Sequence, residues 1–321
     1  MTTLFDAVVA AGDRLVTASN GRIAFDPHIA LSRHDDMSLS EPGLRSPNQH
    51  SRLISCRDGW IAVSLAREED RDLVPAWTGA GFDEDPWQAV TRSAANCTAV
   101  EMVASGVALH LPVARVAETK PPPPSALKAG GRTDGAVVDL SALWAGPYCG
   151  GLLAEAGLDV VKIESPERPD PTATHTPKLD ARLNGRKQRL VLPMVSTDLR
   201  DHIAAARVLI TAARPHALAR LGIAEGRIFS LNPGLLWIAI TAHGWRGEAA
   251  MRVGFGDDCA AAGGLIRWEG EEPRFLGDAL ADPLTGLTAA TRALEALDAG
   301  QSGLLDVSLA GTAARFTEAM L

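Results

Sequence analysis

Apolar and polar positions along the 321 residues keep two different rhythms on either side of a proline-rich break. Downstream of it, short apolar runs alternate with stretches of helical spacing: a strand over 136–140, a helix over 147–156, strands over 158–163 and 188–192, a helix ending before "RVLITAA", and a strand over 235–241 in "LLWIAIT". Nearly continuous apolar strands separated by helices predict a parallel sheet covered on both faces. Upstream, "GWIAVSLA" at 59–66 alternates and then runs apolar as a strand does. "DPWQAVTRSAANCTAVEMVASG" has helix spacing between an Asp85–Pro86 start and a Gly106 stop. The fold class expected is α/β: a large Rossmann-like domain with a parallel sheet covered by helices, plus a smaller α+β domain at the N-terminus.

The break itself, "ETKPPPPSALKAGGRTDG" at 118–135, has four consecutive prolines, then Gly130, Gly131 and Gly135. Polyproline makes a stiff extended spacer and the glycines loosen its downstream half, so this stretch is expected to link two folded parts. The expected division is 1–117 for the small domain, its first 25 or so residues packing with the large one, 118–135 for the linker and 136–321 for the large domain.

Composition narrows the function. With 31 basic and 39 acidic residues the formal net charge is -8, which argues against general affinity for nucleic acid or anionic membranes. An anionic ligand would then need a local cationic cluster. The four cysteines, Cys56, Cys97, Cys149 and Cys259, form no C-x-x-C pair, so neither a zinc site nor a disulfide framework is suggested. No apolar run approaches a membrane span, and the first residues carry Asp6 and no basic segment. The chain reads as cytoplasmic.

In "VVDLSALWAGPYCGGLLAEAGLDVVKIESPE", residues 137–167, the turn between Asp139 and Pro147 lies where open parallel sheets bind ligands, beyond the carboxyl end of a strand. Gly146, Gly150 and Gly151 do not supply G-x-G-x-x-G spacing, so a dinucleotide reading is weak and a dehydrogenase is a distant alternative.

Several stretches in order resemble the family III CoA-transferases (CaiB/BaiF-like), which include formyl-CoA transferases, carnitine CoA-transferases and α-methylacyl-CoA racemases. They are "VVDLSALWAGPYCGGLLAEAGLDVVKIE", "LNGRKQRLVL", "VLITAARPHALARLGI", "LNPGLLWIAITAHGWRG", "GFGDDCAAAGGL", "LADPLTGLTAATRALEAL" and "GQSGLLDVSL". The resemblance implies coenzyme A as substrate with no separate cofactor and no metal. Its implied partners are an acyl-CoA, a carboxylic acid and a second copy of the chain in a homodimer; family members interlock as rings, and for this chain the interlock is left open because the domain order changes how the ring closes. It also implies that the small domain should come after "LLDVSL", whereas here the small-domain segment comes first, as in a circular permutation.

By the same resemblance Lys187 and Arg220 stand where CoA phosphates are contacted, Ala145 and Gly146 line the turn beside CoA, and Glu164, Asn184 and Arg214 complete the binding set. The bland reading of "RLNGRKQR" is a solvated cationic face. Thr211, Ala212 and Ala213 replace the usual Glu-Asn-Phe before Arg214. Asp282 aligns with the catalytic aspartate, whose carboxylate attacks the acyl-CoA thioester to form a mixed anhydride. Without the resemblance, Asp282–Pro283 reads as an ordinary N-cap with proline at the first helical position, and Asp278 is the rival carboxylate. "SEPGLRSPNQHS" at 40–51 is the nearest candidate for the family's glycine-rich loop.

Two further readings remain. A racemase needs an acid and a base beside the α-carbon, but Phe255 and Gly256 occupy the positions where racemases carry histidine and an acid, with Asp257 and Asp258 out of register. His243, where an aromatic is usual, reads as structural. The other reading is a non-catalytic CoA-binding subunit of a hetero-oligomer.

Overall fold

The computed structural model describes residues 2–321. Three strands, β1 (Ser51–Cys56), β2 (Gly59–Ser64) and β3 (Val113–Arg115), form an antiparallel sheet in the order β1-β2-β3. One face carries Ile54, Ile61, Val63 and Val113, which pack with Trp77, Val90 and Met102 of the flanking helices. The alternate residues Leu53 and Ala62 face the other way, onto Ala261, Ile266 and Phe275 of the large unit. The single helix expected over 85–106 is two, Pro86–Ala94 and Ala99–Ala108. Thr98 breaks the run: it captures the Glu101 backbone amide while Glu101 bonds back to the Thr98 amide, so a new N-terminus forms within the apolar spacing.

The remaining strands are β4 (Lys128–Ala129), β5 (Val137–Asp139), β6 (Val160–Glu164), β7 (Gln188–Val191), β8 (Val208–Thr211), β9 (Leu236–Thr241), β10 (Ile266–Glu269), β11 (Glu272–Phe275) and β12 (Gln301–Ser308). All but the β10–β11 hairpin form a seven-stranded sheet in the order β4-β12-β9-β8-β5-β6-β7, parallel except for the short edge strand β4. Residues of β8 and β9 are buried throughout. Val208, Ile210, Leu236 and Ile238 face a core shared with the Ala145–Glu155, Ala281–Asp298 and Leu309–Met320 helices, while Leu209 and Trp237 face Ile203, Leu218 and Ile228. Two covered faces explain the absence of polar alternation. The N-terminal Leu4–Ala18 helix adds Ala7, Val8 and Leu15 to the first of these cores, so it belongs to the large domain.

Residues 118–135 are a bonded strap, not a free spacer. The Thr119 amide donates to the Ala262 carbonyl, the Asp306 amide donates to Ser125 Oγ, β4 pairs with Gln301 and Ser302, and the Arg132 amide donates to the Gly234 carbonyl. Prolines that cannot donate suit an extended segment held mainly by its other residues.

Strand order reverses between β5 and β8, which places the switch point where the Leu140–Trp144 turn leaves β5. The helix beyond it starts at Ala145, two residues earlier than the sequence spacing predicts.

Candidate active site

Asp139 ends β5 fully buried and shapes the turn. Its carboxylate accepts the Ser141 amide at 3.0 Å and the Ser141 hydroxyl. A Cβ on Gly146 would overlap the Ser141 side chain, so the first turn of the helix folds back closely over this loop. Lys187 reaches the same carboxylate at 2.7 Å and also donates to the Pro147 carbonyl (2.7 Å) and Asn184 Oδ1 (2.8 Å). Burial alone would raise the Asp139 carboxyl, but Lys187 and Lys162 outweigh it and hold the group below its usual range.

This geometry corrects part of the CoA-binding expectation. Lys187 spends its three donors inside the fold with no side-chain exposure, so it braces the turn from behind, an engagement at odds with the expected phosphate contact. Asn184 is buried, donating to Asp180 and accepting from Lys187. Glu164 accepts the Asp170 amide at 3.1 Å. Of the cationic run, Arg189 pairs with Asp180 and Arg182 donates to the Ile29 and Ser32 carbonyls. Arg214 precedes the Pro215–Arg220 helix and donates to the Met251 carbonyl at 3.1 Å. Arg220 is exposed and, with Arg200 and Arg227, lines a cleft of about 470 Å³.

Asp282 lies on the Ala281–Asp298 helix, which packs along the Ala145–Glu155 helix. One turn after Asp282, a Cβ on Gly286 would come 2.6 Å from the Ala145 carbonyl. Asp282 is not the N-cap. Leu280 holds that position, and the Asp282 amide donates to the Ala279 carbonyl at 2.9 Å. Its carboxylate is therefore not committed to its own helix; it lies against the Gly256 backbone, where the Gly256–Ala262 helix begins.

Around it the fold gathers groups from distant segments. Arg33 forks onto Asp278 (2.5 and 2.9 Å) and lies 5.1 Å over the Trp144 ring. Asn48 donates to Asp257 (2.9 Å) and Asp278 (2.6 Å), and Ser51 donates to Asp257 (3.0 Å). The Ala279 amide donates to the other Asp257 oxygen at 2.7 Å from a left-handed φ of 46°, a strained turn fixed from both sides. Burial pushes the Asp282 carboxyl up to about 7; Arg33 draws it down, and Asp257 and Asp278 add to the rise. The Asp282 carboxyl thus changes charge near neutrality beside a strained turn.

The Asp278 rival is thus engaged by Arg33 and Asn48, while the Asp282 carboxylate has no side-chain hydrogen-bond partner among the described residues and meets only the Gly256 backbone. Residues 40–51, expected near the site by position, supply both Asn48 and Ser51. Sequence reasoning singles out none of Arg33, Asn48 and Trp144. Arg33 lies in no motif, and the other two are uncharged positions inside longer stretches with nothing to set them apart. His243 is enclosed, and burial pushes it down to about 3, which keeps the ring neutral.

The frame of the site is a doubly wound α/β sheet with a buried carboxylate beside its switch point. Residues 133–321 match the family model of CoA-transferase family III, and the chain belongs to that family. It is 30% identical over 196 residues to a succinyl-CoA–D-citramalate CoA-transferase of Chloroflexus aurantiacus (54% of this chain, 48% of that protein). It is 28% identical over 197 residues to a succinate–glutarate CoA-transferase of Agrobacterium fabrum (54% and 49%). The chain spans about half the length of the curated relatives it matches. A crystal structure of a hypothetical protein of Mycobacterium tuberculosis shares the fold, with a TM-score of 0.53 at 24% identity over 61% of this chain and 58% of that one. The β1–β3 unit lies outside the family match. No helix among the described residues is long and apolar enough to cross a membrane.

Proposed function

We propose that the chain transfers CoA from an acyl-CoA to a free carboxylic acid, with Asp282 as nucleophile. The observation that supports this best is the Asp282 carboxylate, held only by the Gly256 backbone and free of side-chain partners among the described residues, while its acidic neighbours are tied up by Arg33, Asn48 and Ser51. In the first step an Asp282 oxygen bonds to the thioester carbon and the C–S bond breaks, giving a mixed anhydride and CoA thiolate. The thiolate then attacks the Asp282 carbonyl, releasing the donor acid and leaving CoA on the enzyme as a thioester. The acceptor carboxylate repeats the sequence in reverse, ending as acyl-CoA with Asp282 restored. No proton or electron is gained or lost overall. Proximity and partial desolvation make a weak nucleophile sufficient.

Binding would divide between the Leu140–Gly146 turn, for the thiol end of CoA, and the exposed Arg220 with Arg200 and Arg227, for its phosphates. The relatives are named for succinyl-CoA with citramalate and for succinate with glutarate, so di-acids are the first acceptors to try. We read the chain as a cytoplasmic homodimer, with residues 1–117 as a small domain placed ahead of the large one, their first 25 or so packing with the large domain. The test is trapping: incubate the chain with acyl-CoAs, add hydroxylamine or borohydride, and locate the modified peptide by mass. Modification at Asp282, absent from Asp282→Ala, is expected; modification elsewhere, or none with any acyl-CoA tried, overturns the assignment.

A further inference from the structure

Behind the Asp282 loop, and separate from the proposed transfer chemistry, three side chains with metal-ligating atoms converge. His243 lies just beyond β9, and Asp258 and Cys259 are on the Gly256–Ala262 helix. Their ligand atoms all lie within 4.8 Å of one another. Asp258 and Cys259 are fully buried, and both ring nitrogens of His243 are closed off from solvent with no hydrogen-bond partner. Two unsatisfied nitrogens on one enclosed imidazole are costly unless something binds them.

The walls are shaped around these atoms. A Cβ on Gly254 would come 2.6 Å from Cys259 Sγ and 2.8 Å from Asp258 Oδ2, so a side chain there would crowd the two donors. The Phe255 amide donates to Asp258 Oδ1 at 2.9 Å, fixing the carboxylate with Oδ2 on the Cys259 side.

We propose that His243, Asp258 and Cys259 form a binding site for zinc or a similar thiophilic divalent ion. A thiolate and a carboxylate together balance the charge of a dication, and the imidazole binds it as a neutral ligand. The occupied site is then electrically neutral, which suits its burial. A sulfur-nitrogen-oxygen set excludes magnesium and calcium as natural occupants. Arg252, the nearby cation, is paired with Glu118 at 2.6 Å. Binding releases the Cys259 thiol proton, and that of Asp258 where it carries one, to solvent. The ion would tie the end of β9 to the helix whose Gly256 abuts Asp282, positioning the loop without touching substrate.

The test uses the full chain purified under reducing conditions, stripped with a chelator and titrated with Co²⁺. The expected result is one Co²⁺ per chain with a thiolate-to-cobalt absorption band, displaced by Zn²⁺. Cys259→Ala abolishes the band, His243→Ala weakens binding at least tenfold, and Cys97→Ser changes neither. Absence of the band, or its survival in Cys259→Ala, overturns the site. X-ray absorption of the zinc-loaded wild type gives an answer without any variant: a first shell containing sulfur supports the proposal, and one of nitrogen and oxygen alone refutes it.

Discussion

Lys187 and Asp139 sit 2.7 Å apart with neither side chain reaching solvent. The Lys187 ammonium also satisfies the Pro147 carbonyl and Asn184, so it holds the end of β5 to the first turn of the Ala145–Glu155 helix. Removing one partner leaves an uncompensated buried charge. Lys187→Ala should therefore cost about 3–5 kcal/mol of stability. Arg220 is exposed on the cleft rim, and Arg220→Ala should leave stability within about 0.5 kcal/mol while raising KM for acyl-CoA roughly tenfold. Denaturant unfolding of both variants beside their KM values checks this split. Equal effects of the two on KM with no loss of stability would restore Lys187 as a phosphate contact.

As the proposed nucleophile, Asp282 should set the pH dependence of transfer. Burial pushes its carboxyl up to about 7 from an ordinary 3.8, and only the ionised form attacks a thioester. Transfer should rise with pH through about 7 and level off above it. Stability runs the other way: between the two values the folded chain holds a proton that the unfolded chain has released, so this group lowers stability as pH rises through that window. Asp282→Asn should abolish transfer and, above pH 7, unfold at a temperature higher than the wild type by a few degrees. Melting curves at acidic and alkaline pH measure it; a variant less stable at both would show that the carboxylate has a structural partner.

Arg33 opposes the rise that burial imposes on Asp282. It draws the Asp282 carboxyl down and forks onto Asp278, which is otherwise buried next to Asp257 and Asn48. Arg33→Ala should shift the acidic limb of the pH–rate profile upward by about one unit, as expected when a nearby opposite charge is removed. An unmoved limb with reduced rate would mean that Arg33 acts only through folding.

The layered fold is legible because β8 and β9 are apolar on both faces, a pattern that comes from burial alone. The break in the 85–106 helix is hidden because a local capping box at Thr98 overrides intact spacing. Asp282 stands out only through the family resemblance, since Asp282–Pro283 by itself reads as a helix cap, while the Ala145–Gly146 turn is marked by its place after a strand. The fate of Lys187 is not, since a lysine in a polar run is buried only when Asp139, forty-eight positions earlier, comes to meet it. Arg33 and Asn48 come from loops without periodicity, so nothing local ties them to a carboxylate more than two hundred positions away. The 118–135 strap carries the composition of a linker, and its bonds to Ala262, Gly234 and β12 exist only in the folded chain.

Gly256 permits the close approach on which the site depends. Its φ is not in the left-handed region, so the requirement is space: a Cβ there would overlap Asp282 Oδ2 and come 2.5 Å from the Ala279 carbonyl oxygen and 2.7 Å from the Ala279 Cβ. Ala279 cannot move aside easily, because its amide is bonded to Asp257 and its backbone is already in a strained conformation. The displacement should therefore fall on Asp282. Gly256→Ala should cost about 1–3 kcal/mol of stability and lower kcat by about a hundredfold, since a shift of about 1 Å is enough to misplace a nucleophile. Gly226, in the Glu225–Leu231 helix, has open space around its Cβ position, so Gly226→Ala should leave kcat unchanged and stabilise by up to about 1 kcal/mol. Comparing kcat and unfolding free energy for the two variants separates crowding at Asp282 from a general intolerance of glycine replacement. Full activity in Gly256→Ala would place the reacting carboxylate elsewhere.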